Sequence, residues 1–110
     1  RVLSAHRPRL ALLHGDLWRG NAGCLADGRP VLFDPAVSIG DPDADLAMTE
    51  LFGGFPSAFY RAYRAVRSPD PDYDARRDAY NLYHVLNHLN LFGGGYLAQA
   101  RRLIARLASA

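Results

Sequence analysis

The 110-residue sequence predicts a mainly α-helical protein that carries one small β-hairpin. Two short apolar runs, residues 22–26 and 30–33, flank Asp27-Gly28, and this pair favours a tight hairpin turn because both positions tolerate positive φ. From residue 41 onward, apolar residues recur at helical spacing and are interrupted by Gly and Pro. Hydrophobic residues make up 49% of the chain and charged residues 22%, which is typical of one globular domain with its own core.

Four helices are predicted after the hairpin. Asp41-Pro42 predicts the start of the first, because acidic residues suit a helix N-terminus and Pro suits its first turn, and Gly53-Gly54 predicts its end. The second is predicted over residues 56–66, the third over 73–92 and the fourth after Gly93–Gly95, with a stiff linker at residues 68–72. The periodicity predicts these inward positions in the third and fourth helices: Ala79, Leu82, Tyr83, Leu86, Leu89, Leu97, Ala100, Ile104 and Leu107.

The candidate site begins with the octapeptide HGDLWRGN at residues 14–21 and continues at Asp34. In kinase-type phosphoryl transfer, one Asp orients or deprotonates the attacking hydroxyl, while an Asn and a second Asp hold the metal on the nucleotide phosphates. Asp16, Asn21 and Asp34 have this order and spacing, and the hairpin would bring Asn21 and Asp34 close together. Mg²⁺ prefers oxygen ligands and keeps several waters, so one amide and one carboxylate suffice. The alternative is that these residues serve only in ordinary turns.

Charge and composition argue against several other classes of protein. The formal charge of +2 and the scattered Arg residues do not favour nucleic acid binding. Cys24 is the single cysteine, so no internal disulfide is expected. No run of 18 apolar residues and no leader-like segment are seen, so we expect no membrane span and a cytoplasmic location.

All 13 basic residues are Arg, and the chain contains no lysine. Kinase-type sites normally place a strand lysine on the nucleotide phosphates beneath a Gly-rich loop. Gly93–Gly95 is not followed by the residues of a P-loop and cannot replace it. Together with the first residue, Arg1, this predicts the C-terminal half of a longer enzyme whose nucleotide-binding lobe lies upstream.

Five segments carry a resemblance to a known family: LHGDLWRGN (13–21), FDPAV (33–37), GDPDADLAM (40–48), LFGGF (51–55) and YHVLNHLNLFGG (83–94). They resemble the fructosamine kinases, or ketosamine-3-kinases, of the aminoglycoside phosphotransferase and choline kinase-like group. The likeness extends from about residue 12 to 103. It implies the C-terminal catalytic lobe of a protein-kinase-like α+β fold over residues 1–110. The catalytic loop and metal-binding hairpin would span about 12–36, and a helical bundle about 41–108.

The resemblance also implies a reaction, the ATP-dependent phosphorylation of the 3-hydroxyl of ketosamines, which are sugar adducts of amines on small molecules or proteins. The phosphorylated adduct is unstable and sheds its sugar, so the process is a deglycation. By position, Asp16 is the catalytic base, Asn21 and Asp34 are the Mg²⁺ ligands, and Trp18 and His88 contact the substrate.

The resemblance implies that Asp45 supports the catalytic loop by accepting hydrogen bonds from its backbone amides. We expect His14 to pack beneath the loop and orient its backbone rather than to transfer a proton, because Asp16 already fills the position of the base. Trp18 has an equally acceptable interpretation as a core residue. His84 and His88, four apart on a helix, could instead bind a metal, although no third ligand is evident.

Two other functions stay open at this point. The acceptor could be another small hydroxyl compound, such as an aminoglycoside or an amino alcohol. Alternatively, the 110 residues could be an inactive helical module that needs its missing lobe, which the absence of lysine favours for the isolated chain.

Overall fold

A computed structural model describes residues 2–68 and 70–109. Within these residues, four helices follow a region of short strands: α1 Pro42–Thr49, α2 Ser57–Val66, α3 Tyr73–Phe92 and α4 Leu97–Ser109. The strands are β1 Ala11–Leu13, β2 Ala22–Cys24, β3 Pro30–Leu32 and β4 Ser38–Gly40. The prediction of a mainly α-helical fold with a small hairpin is confirmed.

The predicted hairpin is formed by β2 and β3, which pair antiparallel with Ala22 opposite Leu32. Gly28 has a φ of 89° at the turn, which is the conformation that Asp27-Gly28 predicted. A second antiparallel pair, β1 with β4, was not predicted, and it sets Leu12 opposite Ile39. Leu12 and Ile39 are 27 residues apart in the sequence, so no local sequence pattern predicts this pairing. This pairing brings the segment before the hairpin next to the segment after it, where the candidate site begins.

Helix α1 is shorter than predicted. Asp41 caps its N-terminus by accepting the backbone N–H of Asp43 at 2.9 Å, and Pro42 follows the cap, as expected. The helix ends at Thr49, however, rather than continuing to Gly53. The backbone reverses there because Phe52, Gly53 and Gly54 all adopt positive φ (52°, 98° and 76°). This reversal turns the Phe52 ring back toward α3.

Helices α2 and α3 have the predicted bounds within one residue. The buried face of α3, however, differs from the predicted one. Tyr83 is 70% exposed and Leu86 38%, although both were expected to point inward. The buried positions are Tyr73, Arg76, Asp78, Asn81 and Val85. Polar residues are buried here because they have partners; Arg76, for example, binds Asp43 at 3.0 Å. Apolar periodicity could not identify a face that is stabilised by ion pairs.

The inward face of α4 is also displaced from the prediction. Ile104 is 49% exposed and Leu97 39%, whereas Leu103 and Ala100 are buried. Leu103, Ala100, Val85 and Leu51 form the hydrophobic core between α3, α4 and the end of α1. Phe52, Leu82 and Tyr96 pack against that core from outside. The core therefore supports two of the rings that face the candidate site.

A buried polar network fixes α1 against α3. Asp41 accepts hydrogen bonds from His6 at 2.8 Å and from the Tyr80 hydroxyl at 2.6 Å. Burial opposes ionisation of Asp41, but the hydrogen bonds from Tyr80, the backbone of Asp43 and His6 outweigh it, so the pKa of Asp41 is lowered. Asp45 follows one turn later on α1 and so lies under the candidate site.

The linker and the expected absence of a membrane span are the remaining predictions about the fold. The linker predicted at residues 68–72 includes Pro69, which lies outside the described residues. Among the helices of residues 2–68 and 70–109, none combines the length and the apolar character that crossing a membrane would require.

Candidate active site

The loop over residues 14–21, called the catalytic loop below, is anchored from α1 by one carboxylate. The backbone N–H groups of His14 and Gly15 donate to the two oxygens of Asp45 at 2.7 and 3.0 Å. Hydrogen bonds to an ionised acceptor are about twice as strong as neutral ones. These are the contacts that the resemblance implied for Asp45, and they fix the loop immediately before Asp16.

Gly15 permits a close approach between the two chain segments of the site. Its φ is 88°, and a Cβ atom built on it would lie 1.8 Å from the carbonyl oxygen of Ala36. The backbone N–H of Ala36 in turn donates to the carbonyl of His14 at 2.8 Å. No residue with a side chain fits here, because both the backbone conformation and the space exclude it.

The His14 ring bridges the catalytic loop to the segment that carries Asp34. The N–H of Asp16 donates to Nδ1 of His14 at 3.2 Å, so Nδ1 is the acceptor of the ring. The proton is therefore on Nε2, which donates to the carbonyl of Phe33 at 2.8 Å. Both ring nitrogens are engaged with the backbone. The geometry thus favours a structural role for His14 over proton transfer.

Asn21 lies directly against Asp16. A 3-10 turn over Arg19–Asn21 follows Trp18 and returns the chain, and Asn21 becomes buried. Its Nδ2 donates to the carbonyl oxygen of Asp16 at 2.9 Å and to Oδ2 of the Asp16 carboxylate at 3.1 Å. Asn21 therefore orients the side chain of Asp16 and keeps its own Oδ1 as an acceptor.

Asp34 follows a residue that is paired with Asn21, since the N–H of Phe33 donates to the Asn21 carbonyl at 3.0 Å. Asp34 is exposed and has a φ of 50°, a conformation that Asp tolerates better than most residues. The donor set fits Mg²⁺, because the orientation of the Asn21 amide leaves an oxygen and Asp34 contributes a carboxylate. That the two residues share a metal ion stays a prediction.

Asp16 opens onto a cleft of ≈ 740 Å³ between the catalytic loop and α3. Trp18 and His88, the two predicted substrate contacts, both line it, whereas Asp34 does not. The complete lining is Gly15, Asp16, Trp18, Ala36, Met48, Phe52, Tyr83, His84, Asn87, His88, Leu91, Phe92 and Tyr96. The volume lies within the range usual for pockets that take small molecules.

One side of the cleft, called the aromatic wall below, consists of the rings of Trp18, Phe52, His88, Phe92 and Tyr96. Phe52 is central, with ring centroids 6.0 Å from Trp18, 5.0 Å from His88 and 6.3 Å from Tyr96. Phe92 lies 5.5 Å from His88 at the outer end. Most of these contacts are edge-to-face or tilted, which aromatic pairs prefer. Trp18 is therefore in the cleft as well as partly packed.

Two histidines of α3 contribute polar groups to the cleft. Nδ1 of His88 lies 2.7 Å from the carbonyl of His84 and must donate to it, which leaves Nε2 as the other ring nitrogen. Burial, followed by the neighbouring His88, lowers the pKa of His84, while Asp16 and Asp45 oppose the shift. His84 is accordingly neutral near neutral pH.

Sequence reasoning missed several residues of the cleft. Tyr83 was expected in a helix core, and Phe52 and Tyr96 had no assigned role. The polar stripe Tyr83, His84, Asn87 and His88 could have been found from its helical spacing. Phe52 could not, because its position depends on the unpredicted reversal after α1.

Comparison with known proteins identifies the family. The profile of the fructosamine kinases matches residues 1–110. The chain belongs to the fructosamine kinase family. The resemblance found in the sequence is thereby confirmed. Among its relatives, a probable ketoamine kinase of Synechocystis is 54% identical over 94% of the chain, and the ketosamine-3-kinase of Mus musculus is 43% identical over 89%.

Solved structures agree with this assignment. A protein from Haemophilus somnus assigned as a fructosamine-3-kinase superposes with a TM-score of 0.85 at 31% identity over 96% of this chain. One from Thermobifida fusca gives 0.83 at 34% identity over 98%. This agrees with the expected C-terminal lobe of a kinase-like fold. This member of the family spans only 35% of the Synechocystis relative, 31% of the mouse relative, and 37% and 38% of the two solved chains.

Proposed function

We propose that the polypeptide containing this lobe transfers phosphate from ATP to the 3-hydroxyl of ketosamines, after which the adduct sheds its sugar. One observation carries the proposal: Asp16, oriented by Asn21 at 3.1 Å, faces a small-molecule cleft in a chain of the fructosamine kinase family. Relatives named ketosamine-3-kinase and protein-ribulosamine 3-kinase support this class of acceptor.

Asp16 would orient the acceptor hydroxyl and accept its proton. Because Asn21 donates to Oδ2 of Asp16, Oδ1 is the oxygen left to receive the hydroxyl hydrogen. Phosphoryl transfer has a loose transition state, so aiming the hydroxyl at phosphorus matters more than the basicity of the carboxylate. The hydrogen bonds that the catalytic loop donates to Asp45 of α1 fix the backbone next to Asp16 and so help to keep its carboxylate in position.

Asn21 and Asp34 would hold Mg²⁺, which when bound neutralises charge on the nucleotide phosphates. The chain's own contribution is to fix the two ligands relative to Asp16. His14 does this through Phe33, and Asn21 contacts Asp16 directly. Positioning of this kind is the largest contribution a protein makes to phosphoryl transfer.

We further propose that residues 1–110 are the C-terminal catalytic lobe and that a separate upstream lobe covers the nucleotide. The chain supplies no lysine for the phosphates, and it spans 35% of the Synechocystis relative, so the relative's remaining length could hold such a lobe.

The test is a chimera in which the upstream part of the Synechocystis ketoamine kinase is joined to this chain. Phosphate transfer from Mg-ATP is measured with a fructosamine, a ribulosamine, an aminoglycoside and an amino alcohol. We expect transfer to the two ketosamines. Transfer only to the aminoglycoside or the amino alcohol would replace the proposed acceptor, and micromolar Mg-ATP affinity of the 110-residue chain alone would contradict the need for another lobe.

The metal assignment is tested in the same chimera with Asp34→Ala. Loss of the carboxylate should abolish Mg²⁺-dependent transfer. Asp27→Ala is the matched control, because Asp27 lies in the exposed hairpin turn, where its side chain pairs with Arg29 at 2.7 Å. Unchanged metal dependence in Asp34→Ala would remove Asp34 from the proposed ligands.

A further inference from the structure

We infer that the aromatic wall recognises the protonated amine of the ketosamine, so that adducts of basic amines are selected over neutral compounds of the same shape. The inference rests on the proposed function, because it takes the acceptor to be a ketosamine. Beyond the proposed function, it names the amine as the part of the substrate that the aromatic wall recognises. An alkyl-substituted ketosamine carries a secondary amine that is protonated near neutral pH, and its positive charge lies next to the sugar.

The charges around the cleft favour a cation. The chain contains 13 Arg residues, yet among the described residues none of them lines this cleft. Asp16 supplies a negative charge, and Asn87 and the Tyr83 hydroxyl supply neutral acceptors. Because burial lowers the pKa of His84, its imidazole adds no positive charge near neutral pH. A cationic ligand therefore meets neither an Arg side chain nor a charged His84 in the cleft lining.

The rings are arranged to take part in such an interaction. The face of an aromatic ring is negative, and a cation within about 6 Å of its centroid is attracted to it. Neighbouring centroids of the wall are 5.0 to 6.4 Å apart, so a single ammonium group can lie near more than one ring. Trp18 and Asp16 line the same cleft, so a ketosamine whose amine lies at the wall can direct its sugar toward Asp16.

Packing alone explains part of the wall but not all of it. Phe52 and Tyr96 pack against the hydrophobic core, which accounts for their positions. Phe92 is 68% exposed at the end of α3 and contacts His88 and Tyr96 from the solvent side. An exposed Phe that extends a row of rings along a cleft gains little from folding. Its placement fits recognition of a ligand.

Trp18 is the only tryptophan of the chain and lies in the cleft, so its fluorescence reports ligand binding directly. The 110-residue chain is titrated with an N-alkyl fructosamine and with the matched ether, in which oxygen replaces the amine nitrogen, after a cooperative urea transition has shown that it folds alone. If it does not fold alone, the chimera is titrated calorimetrically with the same two compounds. We expect the amine to bind about tenfold more tightly than the ether, the effect of a partly desolvated cation on rings. In Phe92→Leu the preference should fall to about threefold.

Two variants separate the wall from other causes. Phe59→Leu is the matched control, because Phe59 lies in another ring cluster, 4.9 Å from Phe55, outside the cleft lining; it should keep the tenfold preference. Asp16→Asn removes the carboxylate, and a preference of at least about threefold should remain if the rings contribute.

Equal affinity for amine and ether in the unmodified chain would overturn the inference, as would a preference that Phe92→Leu leaves intact. Failure of both compounds to bind at about 10 mM would also overturn it, since the wall would then supply no useful affinity. The proposed function fails separately: a charge preference without phosphate transfer to ketosamines in the chimera would leave the wall as an amine site with another role.

Discussion

The backbone of the catalytic loop is held by directional hydrogen bonds, whereas the aromatic wall, to which the loop contributes only Trp18, is held by contacts between rings. On the loop side, Asp45, His14 and Asn21 each bind backbone or carboxylate atoms at 2.7 to 3.2 Å. On the wall, ring centroids lie 5.0 to 6.4 Å apart at varied angles.

This difference matters because a hydrogen bond restricts both the distance and the angle between its two groups, whereas a contact between rings restricts mainly their distance. A catalytic carboxylate must be placed within a fraction of an ångström, and the loop side has the directional bonds to do so. A wall that receives the variable amine of a sugar adduct benefits from surfaces that accept several orientations. We therefore expect substitutions on the loop side to be costly and those on the wall to be mild.

The largest effect is expected at Gly15. Gly15→Ala forces a Cβ to within 1.8 Å of the Ala36 carbonyl oxygen and places Ala at a φ of 88°. The free energy of unfolding should fall by about 3 kcal/mol or more, measured by urea denaturation of the chain. Gly94→Ala is the control, because its Cβ meets nothing within 4 Å, and it should be neutral or slightly stabilising. Equal losses in both variants would contradict the close approach of the two segments.

Asp16→Asn should lower kcat of the chimera at least about 10²-fold, the low end for a positioned acid–base group. The substitution is isosteric, and an amide oxygen can still accept the Asn21 hydrogen bond, so the loss reports the missing carboxylate. Initial rates at saturating Mg-ATP and ketosamine measure it, with Asp27→Asn as the exposed control. Near-normal turnover would mean that Asp16 is not the catalytic base.

Asp45→Asn tests the anchor of the catalytic loop. An amide offers one acceptor oxygen where the carboxylate offers two, so either His14 or Gly15 loses its backbone partner. We expect a loss of about 2 kcal/mol in unfolding free energy. Asp74→Asn is the matched control on α3, since its side chain is 81% exposed, and its stability should hardly change. If the two variants were equally stable, the anchor would contribute nothing measurable.

The loop side was also the part that the sequence could predict. HGDLWRGN and Asp34 are local signals, and the hairpin turn at Asp27-Gly28 follows from the φ preferences of those two residues. The bounds of α3 were predictable for the same reason, because Gly93 ends a long helical pattern.

Trp18 and His88 were predicted as substrate contacts, but the rest of the wall was not, because its parts meet through long-range packing. Phe52 enters the cleft only after α1 ends early and residues 52–54 adopt positive φ. Tyr83 is exposed while Arg76 and Asp78 of the same helix are buried, because ion pairs with Asp43 and Arg106 override apolar periodicity on α3. The pairing of β1 with β4 likewise leaves no local signal.

Phe52→Leu should have a smaller effect than the loop variants. Leucine, like phenylalanine, is unbranched at Cβ, so the backbone at φ 52° is affected in the same way by both side chains. The ring contacts with Trp18, His88 and Tyr96 are lost. A loss of about 1 kcal/mol in unfolding free energy is expected. Phe92→Leu should change stability by less, since that ring is 68% exposed. A loss at Phe52 as large as that of Gly15→Ala would erase the contrast between the two sides.

The smallest effect is a pH dependence at His84, which also lines the cleft. Burial and the neighbouring His88 lower the pKa of His84 from its ordinary value of 6.5, so below that value the unfolded chain binds this proton more readily. Stability contributed by neutral His84 is therefore complete above about pH 7 and is lost as the pH falls through the ordinary histidine range. His84→Gln should lose less stability than the unmodified chain between about pH 8 and pH 5, measured by urea denaturation. Both proteins keep His6, His14 and His88, so the difference isolates His84. Parallel losses in the two proteins would mean that its protonation is not coupled to folding, and that a neutral imidazole beside Asp16 is not maintained by burial.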